Sequence, residues 1–141
     1  MKKKSMYIMI YLLKILLVED EKDILNLFQK FFERSGFYVS AFSEPLLAVQ
    51  EFMKNNDDND YDLVISDIRM PEMNGIELAS IIRKKNIDIP IILMTAYNTI
   101  GIEPSILKSL NIEDIISKPV KLKDLIAKIN TVKQKIIVKD S

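Results

Sequence analysis

Apolar residues fall along the chain in short continuous runs that alternate with stretches of helical spacing. Residues 15–18, 63–65 and 91–94 are unbroken apolar runs, as in strands buried on both faces. Residues 37–42 are rich in aromatic and β-branched side chains, and 114–117 hold Ile115 and Ile116; both read as strands. Between the first two, Ile24, Leu27, Phe28, Phe31 and Phe32 make the core stripe of a helix expected over 21–35. Acidic residues in its first turn suit the helix dipole, and Gly36 fits the left-handed position after it. Leu46, Val49, Gln50 and Met53, widened by Leu47 and Phe52, define one face of a second helix, which Ser43 can cap and in which Pro45 sits early. A third helix starts near Asn74, with Glu77 three residues on in a box-like arrangement and Ile76, Leu78, Ala79, Ile81 and Ile82 as apolar contacts. Gly101 and Pro104 argue against a helix starting at Asn98, so a short helix is expected over 104–110. A fifth helix runs over 121–136. Leu122, Leu125, Ile126, Ile129 and Val132 point inward, and Lys121, Lys123, Lys128, Lys133 and Lys135 lie on the outer face. A solvated surface is the simpler account of those lysines, and docking to an acidic partner the sharper one.

Strictly alternating strands and helices predict an α/β fold, a doubly wound parallel sheet of the flavodoxin-like (βα)5 kind with helices on both faces. The common strand order 2-1-3-4-5 places a crevice outside the carboxyl ends of the strands, near strands 1 and 3. Strand 2, at the edge, is the one strand without a candidate polar group at its carboxyl end.

Composition narrows the chemistry. A chain of 141 residues, 48% of them hydrophobic, is one domain with a real core. Formal net charge is zero, so no global field draws in nucleic acid, and no direct nucleic-acid binding is expected. There is no Cys and no His. That removes disulfides, thiolate catalysis, the usual zinc sites, the commonest general base and any phosphohistidine donor. Carboxylates, hydroxyls, Lys and Arg must carry whatever chemistry there is, and a metal must be a hard, oxygen-seeking ion. Residues 55–60, NNDDND, are acidic but lack the ligand spacing, central Gly and closing Glu of an EF-hand loop, so they read as a solvated connection.

Residues 1–13 are expected to be an extension or an addition to the first strand, and 14–138 one domain. Lys2, Lys3 and Lys4 precede the apolar run 6–13, as in a signal peptide. No small-residue cleavage site follows, and the run is too short for a membrane span. Met6 and Met9 are alternative starts, and membrane attachment is the lesser hypothesis.

The polar strand ends form a constellation. Glu19 and Asp20 end strand 1, Asp67 ends strand 3, Thr95 ends strand 4 and Lys118 follows strand 5. Each is ordinary alone: a helix start, a solvated loop Asp, a satisfied hydroxyl, a surface charge. Together at four strand ends they make coincidence the poorer account. Three neighbouring carboxylates repel and raise one another's pKa values, and Mg²⁺ relieves this. With Lys118 and Thr95 they make a cradle for a phosphoryl group, in which a carboxylate oxygen attacks in line.

VEDE at 18–21, SDIRMPEMNG at 66–75, MTAY at 94–97 and SKP at 117–119 resemble the receiver domain of two-component response regulators. Each piece is weak alone; the set in this order and spacing is strong, and it covers nearly the whole chain from Lys14. The resemblance implies a stand-alone chemotaxis-type receiver in the cytoplasm. Asp67 would take its phosphoryl group from a histidine kinase or a phosphotransfer protein. Glu19, Asp20, Asp67 and the Arg69 backbone carbonyl would hold Mg²⁺, Lys118 would contact a phosphate oxygen, and Thr95 would move to bond the phosphate. The Lys118–Pro119 bond would be cis. No output domain is expected, and output is expected through a protein target on the face of the fourth helix, fifth strand and fifth helix. Residues 136–138 would extend the last helix or help that contact.

Four positions depart from the pattern or bear on lifetime. Ile115 stands where the family usually has the Tyr or Phe that swings when the Thr moves. Asn111 stands where Gly is common and can take the same left-handed conformation. Arg69 and Tyr97, each two residues past a site residue, are large enough to screen the phosphoryl group from water and slow its hydrolysis. Two other functions compete. A pseudo-receiver that only binds partners would lack an acid, the Thr or the Lys. A phosphatase of the haloacid-dehalogenase type needs a second Asp where Arg69 stands, and Arg cannot donate a proton at neutral pH.

Overall fold

The computed structural model describes residues 12–54, 61–96 and 102–140. Five strands alternate with five helices: β1 Lys14–Val18, α1 Lys22–Arg34, β2 Tyr38–Phe42, α2 Pro45–Lys54, β3 Leu63–Asp67, α3 Gly75–Lys85, β4 Ile91–Thr95, α4 Pro104–Ser109, β5 Asp114–Ser117 and α5 Leu122–Asp140. All strand pairs are parallel, in the order β2-β1-β3-β4-β5. The three central strands are buried on both faces, as their unbroken apolar runs require.

Two apolar layers sandwich the sheet. Leu13, Ile15, Leu17 and Ile65 join Phe28 and Phe32 of α1 and Leu125, Ile129 and Val132 of α5 on one face. On the other, Leu16, Val18, Val64 and Leu93 meet Phe52 of α2 and Leu78, Ala79 and Ile82 of α3. Alternate residues of β1 thus serve opposite layers, the period-two signature of a strand.

The helices sit where expected, but two are rotated from the predicted faces. In α1 the buried positions are Leu25, Phe28 and Phe32, while Leu27 is 54% exposed. Residues 24 to 32 contain two overlapping apolar stripes, and periodicity alone does not choose between them. In α2 the buried positions are Pro45, Ala48 and Phe52. Leu46, Leu47 and Met53 are exposed. Ala48 is fully buried, and its small side chain lets the helix lie close to the sheet; a ranking by side-chain size passes over it. Ile81 of α3 is only half-buried.

Local signals hold at several ends. Asn74 caps α3: its Oδ1 accepts from the Glu77 N–H at 2.8 Å, and Glu77 Oε1 accepts from the Asn74 N–H at 2.9 Å. Asn74→Ala removes this box and is expected to cost about 1 kcal/mol, read as a lower urea midpoint at unchanged slope. Gly36 has φ 93° and Asn111 φ 53°, both left-handed. Pro104 opens α4, which has no fully buried residue. Arg83 fixes the far end of α4, donating to the carbonyls of Leu110 at 2.6 Å and Asn111 at 3.1 Å. On α5, Lys128 pairs with Asp114, and Lys135 pairs with Glu113 at 2.8 Å. The helix continues past the predicted end at 136, burying Ile137 and leaving Val138 exposed. The acidic run 55–60 and residues 1–11 lie outside the described residues.

Candidate functional site

Parallel strands deliver their carboxyl ends to one edge of the sheet, and the polar residues collect there. Val18 of β1 pairs with Ser66 of β3, and Asp67 pairs with Met94 of β4, so Glu19, Asp67 and Thr95 end neighbouring strands. Glu19 is fully buried; Asp67 and Thr95 are 5% and 4% exposed. Buried carboxylates require compensation. Lys118 supplies it: its Nζ donates to Glu19 Oε1 and to Asp67 Oδ2, both at 2.8 Å. The Lys118 side chain is itself only 15% exposed, so these charge-assisted bonds are shielded from water.

The backbone locks the same groups. The Glu19 N–H donates to the Phe42 carbonyl at 3.1 Å, and the Lys118 N–H to the Thr95 carbonyl at 2.7 Å. Glu19 Oε2 accepts from the Glu21 N–H at 3.2 Å, at the start of α1. The Lys118–Pro119 bond is cis. Beyond Asp67, Met70 packs partly into the α2–α3 layer, and the Met73 N–H closes a turn on the Pro71 carbonyl at 2.7 Å.

Three carboxylates converge: one oxygen each from Glu19, Asp20 and Asp67 lies within 4.8 Å of the other two. An all-oxygen set on rigid strand ends suits a hard divalent cation such as Mg²⁺. Electrostatics bear the strain of this clustering. Burial raises the Glu19 pKa above its ordinary value; the Asp67 charge adds to the rise, and the bonds from Lys118 and the Glu21 N–H oppose it. Burial pulls the Lys118 pKa down, but its bonds to Asp67 and Glu19 outweigh that and raise it. Lys118 therefore stays a cation across the neutral range.

Glu19, Asp20, Asp67, Thr95 and Lys118 are thus brought to one sheet end. Arg69 lies two residues on, with its side chain exposed. Tyr97 falls outside the described residues, so its pairing with Arg69 over the site rests on sequence. Ile115 is half-buried and packs, with Ile102, Leu110 and Ile112, against the α2–α3 layer.

Three features of the segment 66–75 around Asp67 escape sequence reasoning. Gly75 is the first residue of α3, and nothing in the sequence pattern marks it as a position that must lack a side chain. A Cβ there would lie 2.4 Å from the Asp67 carbonyl oxygen. Glu72 takes φ 71°, which no local signal announces for a glutamate. Ser66 is fully buried beside Asp67, where the apolar run gave no hint of a hydroxyl with a specific partner.

A doubly wound sheet with acids, a threonine and a lysine at the carboxyl ends of its strands defines the receiver class of two-component phospho-signalling proteins. The chain belongs to the response regulator receiver domain family, which it matches over residues 15–130. It is 34% identical to the response regulator SaeR of Staphylococcus aureus over 82 residues, 58% of this chain and 34% of that protein. The match thus takes in about a third of the length of that curated relative. A response regulator receiver domain of Clostridium thermocellum superposes with a TM-score of 0.81 at 26% identity, covering 90% of this chain and 98% of the other. The response regulator TrrA of Thermotoga maritima, in complex with Mg²⁺-BeF, superposes at 0.72 with 33% identity, covering 86% and 99%. Among the described residues, no helix is long and apolar enough to cross a membrane.

Proposed function

We infer that the chain is a phosphoacceptor in a two-component relay, with Asp67 as the residue that takes the phosphoryl group. The observation that carries this reading is the Lys118 ammonium bonded at once to Asp67 and Glu19, beside three convergent carboxylates. Glu19, Asp20, Asp67 and the Arg69 carbonyl would hold Mg²⁺; TrrA, of the same fold, takes Mg²⁺-BeF. When bound, Mg²⁺ supplies positive charge against the phosphoryl oxygens. The phosphorus–nitrogen bond of a kinase or phosphotransfer-protein phosphohistidine breaks as an Asp67 oxygen bonds to phosphorus, and the histidine nitrogen leaves with the electron pair. Lys118 donates to a phosphoryl oxygen as charge builds there, and Thr95 donates its hydroxyl to another. The product is an aspartyl phosphate on the chain itself, with no turnover of a separate substrate. The complete set of acids, hydroxyl and lysine speaks against a pseudo-receiver.

The receiver domain spans 14–138, in the cytoplasm where a kinase reaches it. Output runs through a protein target on α4, β5 and α5. Within that face, β5 and α4 have no fully buried residue.

Incubation with a small phosphodonor and Mg²⁺, followed by intact-mass measurement, tests the reading. The protein should gain one phosphoryl group, and none when the metal is chelated. A protein that gains nothing while a known receiver is modified would refute it. The raised Glu19 pKa gives a second expectation. Cation binding needs the carboxylate ionised, so Mg²⁺ affinity should begin to fall, on acidification, at a higher pH than an ordinary glutamate would give. Mg²⁺ titrations across a pH series check the sign.

A further inference from the structure

We propose that Ser66 is a positioning residue that sets the Asp67 backbone through its hydroxyl. The proposal rests on the reading of Asp67 as phosphoacceptor. Ser66 lies in the middle of the sheet, in register with Val18 on one side and Leu93 on the other, and is fully buried. Val64, two residues earlier on the same strand face, meets the α2–α3 layer as plain hydrocarbon. A hydroxyl among such neighbours is costly unless it has a partner. The Ser66 Oγ donates to the Asp67 carbonyl oxygen at 2.9 Å.

The Asp67–Ile68 peptide is thereby held from several directions where the chain leaves β3. Its Ile68 N–H donates to the Met94 carbonyl at 2.8 Å, and the next carbonyl, that of Ile68, accepts from the Gly75 N–H at 2.8 Å. The missing Cβ of Gly75 makes room for the Asp67 oxygen. The direction of the Asp67 carboxylate and the path toward Arg69 both follow from this peptide. Ser66 touches no phosphoryl group; it acts through the backbone that carries the acceptor.

Hydrogen exchange on the metal-free protein tests this without any phosphorylation. In Ser66→Ala the Ile68 and Gly75 amides should exchange about tenfold faster, as expected for loss of one buried hydrogen bond, while Leu16 and Ile92 keep wild-type rates. Ser66→Thr should restore protection. With phosphodonor and Mg²⁺, Ser66→Ala should be modified about tenfold more slowly and Ser66→Thr near the wild-type rate. Wild-type exchange at both amides in Ser66→Ala would overturn the proposal. So would acceleration spread evenly over β1 and β4, or equal loss in Ser66→Ala and Ser66→Thr. If Ser66→Ala does not fold, Ser66→Cys, which fills the site but weakens the donor, is judged by the same exchange rates. A wild-type protein that takes no phosphoryl group defeats the reading of Asp67, and the exchange result still decides on Ser66.

Discussion

Lys118→Met is expected to slow Mg²⁺-dependent phosphorylation by about 100-fold or more, while the protein holds Mg²⁺ more tightly than before. Both effects follow from one geometry. The Lys118 ammonium sits 2.8 Å from an oxygen of Glu19 and 2.8 Å from an oxygen of Asp67, in a site that excludes most water. A charge placed so close to the proposed acceptor oxygen would stabilise the negative oxygens of a transferring phosphoryl group. Methionine keeps the apolar stem and removes only the charge. The same ammonium competes with any cation for the carboxylates, so its loss should raise Mg²⁺ affinity several-fold. Without metal, the two acids would lose their shared counter-charge, and stability should drop by about 3 kcal/mol. Initial rates of mass gain, a Mg²⁺ titration and a urea midpoint read the three effects. A variant that is phosphorylated at the wild-type rate would remove Lys118 from the chemistry.

Gly75→Ala should damage the fold through the backbone, costing about 3 kcal/mol. The added Cβ would lie 2.4 Å from the Asp67 oxygen, 3.0 Å from the Ile68 Cα and 3.2 Å from the Asp67 carbonyl carbon. All three are backbone atoms, so no side chain can swing away. Either α3 shifts with its capping box, or the Asp67 peptide moves, and its carboxylate with it. Gly36→Ala is the control. There a Cβ meets nothing within 4 Å, and only the left-handed backbone at φ 93° resists, at about 1 kcal/mol. Urea midpoints at equal slope should rank the two variants in that order. Near-equal losses would mean that the contact with Asp67 does not constrain α3.

Much of this arrangement is legible in the sequence because strand ends are chemically loud. An unbroken run such as 63–65 announces a strand buried on both faces, and the Asp67 that follows is conspicuous against it. The strand order brings Glu19, Asp67 and Thr95 together from sequence distances of tens of residues, and Lys118 follows from the same rule. The Asn74–Glu77 box was readable because capping is local. What stayed hidden depends on tertiary approach. Whether Leu25 or Leu27 faces the core depends on how α1 settles on the sheet. Ala48 and Gly75 matter by what they leave out, which no hydrophobic pattern registers. The hydroxyl of Ser66 and the Arg83 bonds to Leu110 and Asn111 concern carbonyls that have no signature in the chain. The positive φ of Glu72 is imposed by the loop rather than by the residue.

The arrangement also bears on how phosphorylation would reach a partner. Ile115 packs into the α2–α3 layer with Leu110, next to the point where Arg83 holds the end of α4. An aliphatic side chain seated there has no ring to swing, so movement of Thr95 would have to reach α4 by another path.

The central claim is that Asp67 is the acceptor. The most direct measurement compares wild-type protein with Asp67→Ala by intact mass after exposure to a small phosphodonor and Mg²⁺. Peptide mapping then locates the group. The account predicts one phosphoryl group on the wild type, on the peptide that carries Asp67, and none on the variant. A variant that still gains the group, or a wild type that never does, would contradict it.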